Sequence, residues 1–311
     1  MPAKCNLIID SCCDLPYDIV HREGIDLLEF PYIVGDVDHT DDFYQSTSAA
    51  EFFQAMRQGA QPSTAQLSVR VLREAFERAA ASGVPAVYLS FAGALSSSFD
   101  AAQLVLSQVM EEHPEAEIHI IDTRLASAAE GLLVFEAIRQ RDKGLTAAQL
   151  AAWAQEAYNY VNCEFMVDDL EALHRGGRMP ASIAFAGSKL DVKPLLTEDL
   201  EGKLVLVGVA HGRKRGIKQI TEYYAKHAST ESFGQYMIVA HADCPKDAQH
   251  LKEELLKIDD SILFLDCFIG PVIGSHVGPN MLAIVFWGPD RRENLSVADM
   301  IARKIRGGVK G

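Results

Sequence analysis

Short apolar runs alternate with helical patterns along the first half of the chain, and this alternation limits the folds that are open to it. CNLIID, VYLSF and EIHIID have the length and the Ile, Leu and Val content of buried strands. In SSSFDAAQLVLSQVMEEH, one helical face carries Phe99, Ala102, Leu106, Val109 and Met110. The pattern predicts a mostly parallel sheet with helices on both sides, an α/β/α sandwich.

The second half predicts a further α/β domain with two layers. Two helices, over about 128–143 and 146–161, precede it, and VKPLLTEDLEGKLVLVGVA predicts a β-hairpin turning at Glu201–Lys203. The last apolar run, MLAIVFWG, is expected to form a strand beside ILFLDCF. Because 311 residues exceed the usual size of one core, we predict domains over 1–160 and 161–311.

Composition excludes several classes of function. The formal net charge of −14 argues against binding to nucleic acid and against resting on an anionic membrane. No apolar run is long enough to span a membrane, and the acidic residues in MPAKCNLIIDSCCDL argue against a signal peptide, so we expect a cytoplasmic protein. The six cysteines are scattered and lack zinc spacing, which favours reduced thiols without a metal.

Hydroxyl groups gather at two predicted helix starts. PSTAQLS places Thr64 and Ser68 just before a helix that begins near Val69. The serine run Ser96–Ser98 opens the helix that contains Phe99. Ser97 and Asp100 have the spacing of a capping box, but free amides and serine hydroxyls at a helix start can also hold an anion. The sequence leaves both interpretations open.

Two glycine-rich stretches present a cationic or imidazole side chain. In LHRGGRMP, the glycines permit a positive φ angle and close backbone approach beside Arg178; alternatively, they end a helix whose carbonyls Arg178 contacts. In IGPVIGSHVGPNML, a rigid loop either aims His276 at a site or is a plain turn. Arginine suits a buried carboxylate well.

One dense basic run, HGRKRGIK, stands out on this acidic chain. It is either a solvated helix start or a docking patch for a partner or a phosphate group. Its candidate docking residues are His211, Arg213, Lys214 and Arg215. The sequence lacks the glycine-rich motifs that cradle nucleotide phosphates and the G-x-S-x-G motif of many hydrolases.

Seven motifs in the same order resemble the DegV family of bacterial fatty-acid-binding proteins, which serve a fatty acid kinase. IIDSCCDLP is similar to I-x-T-D-S-x-x-D-L, STAQLS to T-S-Q-P-S, and LSSSFDAA to L-S-G-T-Y-x-x-A. IDTRLASAAEG is similar to D-S-x-x-x-S-x-x-x-G, LHRGGRMP to L-x-x-G-G-R-I, and LDVKPLL to L-x-I-K-P-I-L. IGPVIGSHVGPN resembles the G-T-H-x-G-P-G loop.

The resemblance implies that a long-chain fatty acid, such as a C16 or C18 acid, lies between the two domains with its carboxylate at the mouth of the cleft. It implies a carrier without a cofactor that presents this acid to a kinase subunit and then carries the acyl phosphate. Arg178 and His276 would supply charge and hydrogen-bond donors. The carboxylate-binding residues that it implies are Thr64, Ser96, Arg178 and His276; further contacts are expected from Ser97, Ser98 and Ser275.

The chain departs from the family motifs at several positions. The segment SFAGALS is about two residues longer than usual, which leaves the choice between Ser96 and Ser97 open. His211 stands where the family often has an arginine associated with kinase contact. The substituted motif positions are Ala65, Leu67, Ser97, Ser98 and Asn280.

Two other classes of function remain open at this point. Ser96, His276 and either Asp10 or Asp122 could form the triad of an acyl hydrolase, although three adjacent serines suit binding better. A regulatory protein that responds to a bound lipid is the third possibility.

Overall fold

The computed structural model describes residues 3–180, 191–228 and 236–293. The predicted domains also include residues 1–2, 181–190, 229–235 and 294–311, which lie outside the described residues. Within it, thirteen strands form three sheets. The strands are β1 Asn6–Asp10, β2 Ile25–Leu28, β3 Pro31–Val34, β4 Val37–Thr40, β5 Ser63–Thr64, β6 Ala86–Ser90, β7 Ile118–Asp122, β8 Val161–Met166, β9 Val192–Glu198, β10 Leu204–His211, β11 Tyr236–His241, β12 Leu263–Phe268 and β13 Leu282–Trp287.

Ten α-helices connect and cover these strands in the described ranges. They are α1 Tyr17–Val20, α2 Ala49–Arg57, α3 Val69–Ser82, α4 Ser98–Glu112, α5 Ala128–Asp142, α6 Ala147–Ala157, α7 Glu171–Arg175, α8 Arg213–His227, α9 Pro245–Leu256 and α10 Pro271–Val277. None of the helices in this part of the chain is both long and apolar enough to cross a membrane.

The first sheet has the order β2-β1-β6-β7, and all of its strand pairs are parallel. The apolar runs named above form β1, β6 and β7, and every residue of β6 is buried. Helices α3 and α4 pack on each other and contact this sheet, and α6 packs on β6 and β7. The expected α/β fold with a parallel first sheet is confirmed.

The second sheet has the order β10-β9-β8-β13-β11-β12. The predicted hairpin is present as β9 and β10, which turn at 199–203. The predicted pairing of β13 with β12 is wrong: β13 runs antiparallel between β8 and β11, whereas β12 pairs with β11 and is an edge strand in the described part of the sheet. Because β13 is central, five of its six residues are buried, whereas only one of the six residues of β12 is buried. Apolar runs reveal strands but not which strands pair.

A small third sheet, β4-β3-β5, was not predicted. All four residues of β4 are exposed, and β5 contains only two residues, so neither has the alternating apolar pattern that marks a strand. The sheet matters for the site because Thr64 pairs with Tyr32 of β3, which fixes the backbone at Thr64.

Helix α5 lies in the interior and joins the two halves of the molecule. It packs on β8, β11 and β13 of the second sheet and also on the short helix Ser11–Cys13 that follows β1. Gly131 permits the second contact, because a Cβ there would lie 2.4 Å from the carbonyl oxygen of Cys13. The second sheet begins in the chain with β8 at Val161, next to the predicted domain boundary at residue 160. Helix α5 precedes this boundary but packs on both halves, so the division at residue 160 stays a prediction.

Candidate functional site

A cavity lies between the parallel-sheet half and the second sheet. It encloses about 740 Å³, counting the space at its open mouth. Its polar lining includes the four predicted residues Thr64, Ser96, Arg178 and His276, and also Ser127 and Glu198. Most of the remaining wall is apolar and comes from both halves, including Phe30, Phe91, Leu173, Val272, Met281 and Val285. A cavity with this lining suits a ligand that has one polar end and a long apolar body.

Thr64 and His276 are in direct contact. The Thr64 hydroxyl Oγ1 lies 2.8 Å from Nε2 of His276, so residues from the third sheet and from α10 meet at the cavity wall. Burial and the positive charges of Arg178 and Arg175 lower the pKa of His276 to about 4. The imidazole is therefore neutral near pH 7, and Arg178 alone supplies positive charge among the four predicted residues, contrary to the expectation that both would.

His276 lies in a helix rather than in the predicted loop. The helix α10 starts with Pro271 at its first position and ends at Val277, before Gly278 with φ +74°. Gly274 allows α10 to approach α2, because a Cβ there would come within 2.8 Å of the Phe53 ring. Pro271 thus starts the helix, Gly274 lets it pack against α2, and Gly278 follows its last residue, although these residue types suggested a loop.

Gly176 fits directly against the imidazole. A Cβ at this position would lie 2.1 Å from Nδ1 of His276, so only glycine leaves room for the ring. Gly177 has φ +72° and open space around it, so its requirement is conformational. The two expected roles of this glycine pair, positive φ and close approach, are divided between the two residues.

Arg178 is anchored by backbone carbonyls and lines the cavity. Its Nε donates to the carbonyl of Leu95 at 3.1 Å, and its Nη1 donates to that of Gly176 at 2.5 Å. Both interpretations of LHRGGRMP therefore apply. The glycine pair ends α7, and Arg178 contacts a carbonyl at that end, but Arg178 also lines the cavity. The guanidinium has five N–H donors, so others remain for a ligand.

The three serines have different environments. Ser96 lines the cavity, Ser97 is exposed, and Ser98 is fully buried. Ser96 Oγ donates to Ser98 Oγ at 3.0 Å, and Ser98 Oγ also accepts from the backbone N–H of Leu67 at 3.1 Å. The capping-box interpretation of Ser97 is wrong, because its side chain makes no capping hydrogen bond. Of Ser96 and Ser97, only Ser96 is at the cavity wall.

Ser275 is placed away from the cavity wall. It is buried, and its hydroxyl donates to the carbonyl of Pro271 within the same helix at 2.6 Å. The structure therefore brings Thr64, Ser96, Arg178 and His276 together and leaves Ser97, Ser98 and Ser275 as neighbours of that group.

Asp14 links three distant segments behind the cavity. Its Oδ2 accepts from the hydroxyl of Ser127 at 2.5 Å, and its Oδ1 accepts from the N–H of Gly270 at 2.9 Å. Burial raises the pKa of Asp14 to about 7. The carboxyl thus ties the start of α5 and the start of α10 to the end of the short helix Ser11–Cys13, and residues from both α5 and α10 line the cavity.

Among the described residues, sequence reasoning missed two polar side chains of the cavity wall, Ser127 and Glu198. Ser127 falls within the quoted segment IDTRLASAAEG but was given no role; it has φ +55°, an unusual angle for serine. Glu198 ends β9, where a glutamate before a turn has the appearance of a solvated residue. No pattern in the sequence signals that it faces inward.

The basic run divides into a structural part and an exposed part. Arg213 is half-buried, and its Nε donates to Asp247 at 2.6 Å, while its Nη1 contacts Asp168 at 3.2 Å and the carbonyl of Asn280 at 2.9 Å. In contrast, the other three candidate docking residues are exposed: His211, Lys214 and Arg215.

The described residues do not arrange a hydrolytic triad. Ser96 donates to Ser98 rather than to His276, and Nδ1 of His276 has no partner among the described residues. Asp10 accepts from Tyr88 and from backbone N–H groups of Cys12 and Phe91. Asp122 Oδ1 accepts from the N–H groups of Gly93 and Arg124 at 3.0 Å.

Within the described residues, no cluster of three or more His, Cys, Asp or Glu side chains has the geometry of a metal site.

Comparison with known proteins finds similar sequences and folds in one family. A family described as "Uncharacterised protein, DegV family" matches residues 4–288. A DegV domain-containing protein of Clostridium perfringens is 32% identical over 283 residues, covering 91% of this chain and 97% of that protein. A fatty-acid-binding DegV family protein of Thermus thermophilus has a TM-score of 0.79 at 25% identity, covering 92% and 100% of the two chains. A fatty acid binding DegV family protein of Streptococcus agalactiae has a TM-score of 0.80 at 24% identity, covering 92% and 99%.

Proposed function

The chain belongs to the DegV family, and on that premise we propose that it binds a long-chain fatty acid. The acyl tail occupies the cavity, and the carboxylate binds at Thr64, Ser96, Arg178 and His276. One observation carries this proposal: a cluster of hydroxyl, guanidinium and imidazole groups lines the same cavity as a mainly apolar wall. The fatty acid binding of the similar protein from Thermus thermophilus supports it.

The two ends of the ligand contribute differently to affinity. Burial of a hydrocarbon chain contributes about 0.8 kcal/mol per CH₂ group, so a C16 tail contributes on the order of 10 kcal/mol. A hydrogen bond to a charged group contributes about 1.5–3 kcal/mol. The tail therefore supplies most of the affinity, whereas the polar cluster determines which end of the ligand faces the mouth.

Arg178 provides the charge that selects an acid over a neutral lipid. Its contacts with two carbonyls hold the guanidinium in place before a ligand arrives, which reduces the entropy that binding has to offset. Neutral His276, hydrogen-bonded to Thr64, orients rather than attracts the carboxylate. This division of roles suits recognition of one carboxylate at the end of an apolar slot.

Presentation to a kinase is the finer part of the proposal. An open mouth leaves the carboxylate accessible to a kinase that transfers a phosphoryl group, while the tail stays in the cavity. The carrier then shields the acyl phosphate from water. Of the candidate docking residues, the exposed His211, Lys214 and Arg215 are the ones available to an acidic partner surface.

The binding proposal is tested by a comparison of head groups. Equilibrium binding of a C16 acid and of the C16 alcohol is measured on delipidated protein and on Arg178→Met, with Arg175→Met as the matched control because Arg175 is an exposed arginine near the same site. We expect the protein to prefer the acid, and Arg178→Met to lose about ten- to a hundredfold in affinity for the acid only. Equal affinities for acid and alcohol in all three proteins would contradict the assignment of the carboxylate site.

The kinase step needs a separate experiment. The protein and its Arg178→Met and His276→Asn variants are loaded with fatty acid and incubated with a bacterial fatty acid kinase and ATP. Acyl phosphate formation should fall more than the amount of retained lipid in both variants, because the tail still binds. An equal fall of both quantities would reject this division, and no acyl phosphate from the loaded unmodified protein would reject the carrier role.

A further inference from the structure

One wall of the cavity contains a row of four side chains that cross the second sheet. Val285 of β13 pairs with Cys163 of β8, and Glu198 of β9 pairs with Leu204 of β10. Phe165 pairs with Leu196, and continuing this antiparallel register by two residues sets Cys163 opposite Glu198. All four residues of the row line the cavity. A carboxyl group thus stands among three less polar side chains.

This row lies along the second sheet, away from the helix that carries His276. Along β13, Met281 and Ala283 line the cavity before Val285, and Met281 follows the helix that carries His276. At about 3.3 Å per residue, the row of Val285 lies about 13 Å beyond Met281. Glu198 is therefore remote from the polar cluster at Thr64 and His276, on the part of the wall that faces the acyl tail.

The Glu198 carboxyl is buried and incompletely hydrogen-bonded. The residue is 5% exposed, and its Oε2 has no hydrogen-bond partner among the described residues. The nearby Arg291 is engaged elsewhere, because it donates to the carbonyls of Val161 and Asp199. Burial raises the pKa of Glu198 to about 7, so the carboxyl can act as donor or acceptor near neutral pH. A buried carboxyl oxygen without a partner is costly, and a wall that only faced methylene groups would gain from an apolar residue here.

We propose that the preferred ligand is a fatty acid that carries a hydroxyl group on the remote part of its chain, and that this hydroxyl hydrogen-bonds Glu198. The inference rests on the proposed fatty-acid function and specifies its substrate class. It goes beyond recognition of the carboxylate. A second polar contact sets how far the acyl chain enters the cavity and selects the carbon that carries the hydroxyl group.

The test compares saturated C16 acids that differ only in a hydroxyl group. Binding of palmitic acid and of hydroxypalmitic acids substituted near the carboxylate, in the middle, or near the tail end is measured by competition. We expect an acid hydroxylated in the middle or towards the tail end to bind about three- to tenfold more tightly than palmitic acid, and an acid hydroxylated next to the carboxylate to gain nothing.

Two variants assign the effect to Glu198. Glu198→Leu should reverse the preference and bind palmitic acid more tightly than the unmodified protein does, whereas Glu198→Gln should keep the preference because the amide still hydrogen-bonds. Palmitic acid bound at least as tightly as every hydroxy acid by the unmodified protein overturns the inference, and that result does not depend on the folding of a variant. Failure of all these acids to bind would instead overturn the proposed function itself.

Discussion

The imidazole Nε2 of His276 lies 2.8 Å from the hydroxyl oxygen of Thr64, a residue 212 positions earlier in the chain. The contact joins the short strand β5 to helix α10 at the wall of the cavity. Because the imidazole is largely buried and neutral, this hydroxyl is the described partner that satisfies Nε2. The two residues therefore act as one unit that shapes the carboxylate site.

Replacing Thr64 by valine should destabilise the protein and weaken fatty acid binding. Valine has nearly the same shape but leaves Nε2 of His276 unpaired, which we expect to cost about 1–3 kcal/mol in the free energy of unfolding. Urea unfolding measures this loss, and Thr64→Ser is the matched control because it keeps the hydroxyl. If Thr64→Val is as stable as Thr64→Ser, the contact does not have the role assigned to it.

The adjacent glycines 176 and 177 should respond differently to alanine. In Gly176→Ala the new Cβ collides with the imidazole of His276, so the ring has to move and binding of the fatty acid should fall at least tenfold. In Gly177→Ala the methyl group meets open space, and the positive φ angle should cost about 1–2 kcal/mol of stability with little change in affinity.

Measuring the affinity for fatty acid and the free energy of unfolding of both glycine variants tests whether the two glycines have these different roles. The expected pattern is a loss of binding in Gly176→Ala and a loss mainly of stability in Gly177→Ala. The same fall in affinity for both variants would show that the imidazole is not positioned by contact with Gly176.

Asp14 should make stability depend on pH in a specific direction. Its pKa is raised from an ordinary value of 3.8 to about 7, so the folded state binds a proton more tightly than the unfolded state. Its contribution to stability is fully present below about pH 4 and is lost as the pH rises through about 7, by up to about 1.4 kcal/mol per pH unit.

Asp14→Asn removes this ionisation while it keeps an acceptor for the N–H of Gly270. We expect the unfolding free energy of the variant to fall less than that of the unmodified protein between pH 5 and pH 8. The difference between the two pH profiles is the relevant quantity, because other buried carboxyls such as Asp10 contribute to both. Parallel profiles would contradict the raised pKa of Asp14.

Within the basic run, Arg213 should behave as a structural residue and its neighbours should not. Arg213→Met breaks contacts with Asp168 and Asp247, which leaves two carboxylates without this cation, and we expect a loss of about 1.5–3 kcal/mol. Lys214→Ala and Arg215→Ala should change stability by less than about 0.5 kcal/mol, because both side chains are exposed.

Thermal or urea unfolding of the three variants checks these expectations. A pull-down with the kinase then asks whether Lys214→Ala or Arg215→Ala weakens the complex, which the docking proposal requires. Similar stability of Arg213→Met and Lys214→Ala would mean that the ion pairs of Arg213 contribute little.

Periodicity and motif order predicted much of the fold and the site, for identifiable reasons. Buried strands such as β6 and helices such as α4 carry strong local patterns, and the family motifs named Thr64, Ser96, Arg178 and His276 in advance. The structure brings these four residues to one cavity, although their order along the chain gives no distances.

The remaining features depend on tertiary contacts that local patterns do not encode. The exposed strand β4 lacks an apolar pattern, and α5 is buried on almost all sides, so it has no single apolar face to reveal what it packs against. The run around His276 has the glycine and proline content of a loop, yet Gly274 is there for helix packing against Phe53. Glu198 was missed because only the cavity shows which way it faces.

The central claim is that the cavity holds a fatty acid by its carboxylate and its tail. Native mass spectrometry of the purified protein, before and after incubation with C16 and C18 acids, tests it most directly. The account predicts one bound molecule with the mass of a long-chain fatty acid, released intact on denaturation. A protein that remains at its bare mass after incubation with these acids would contradict it.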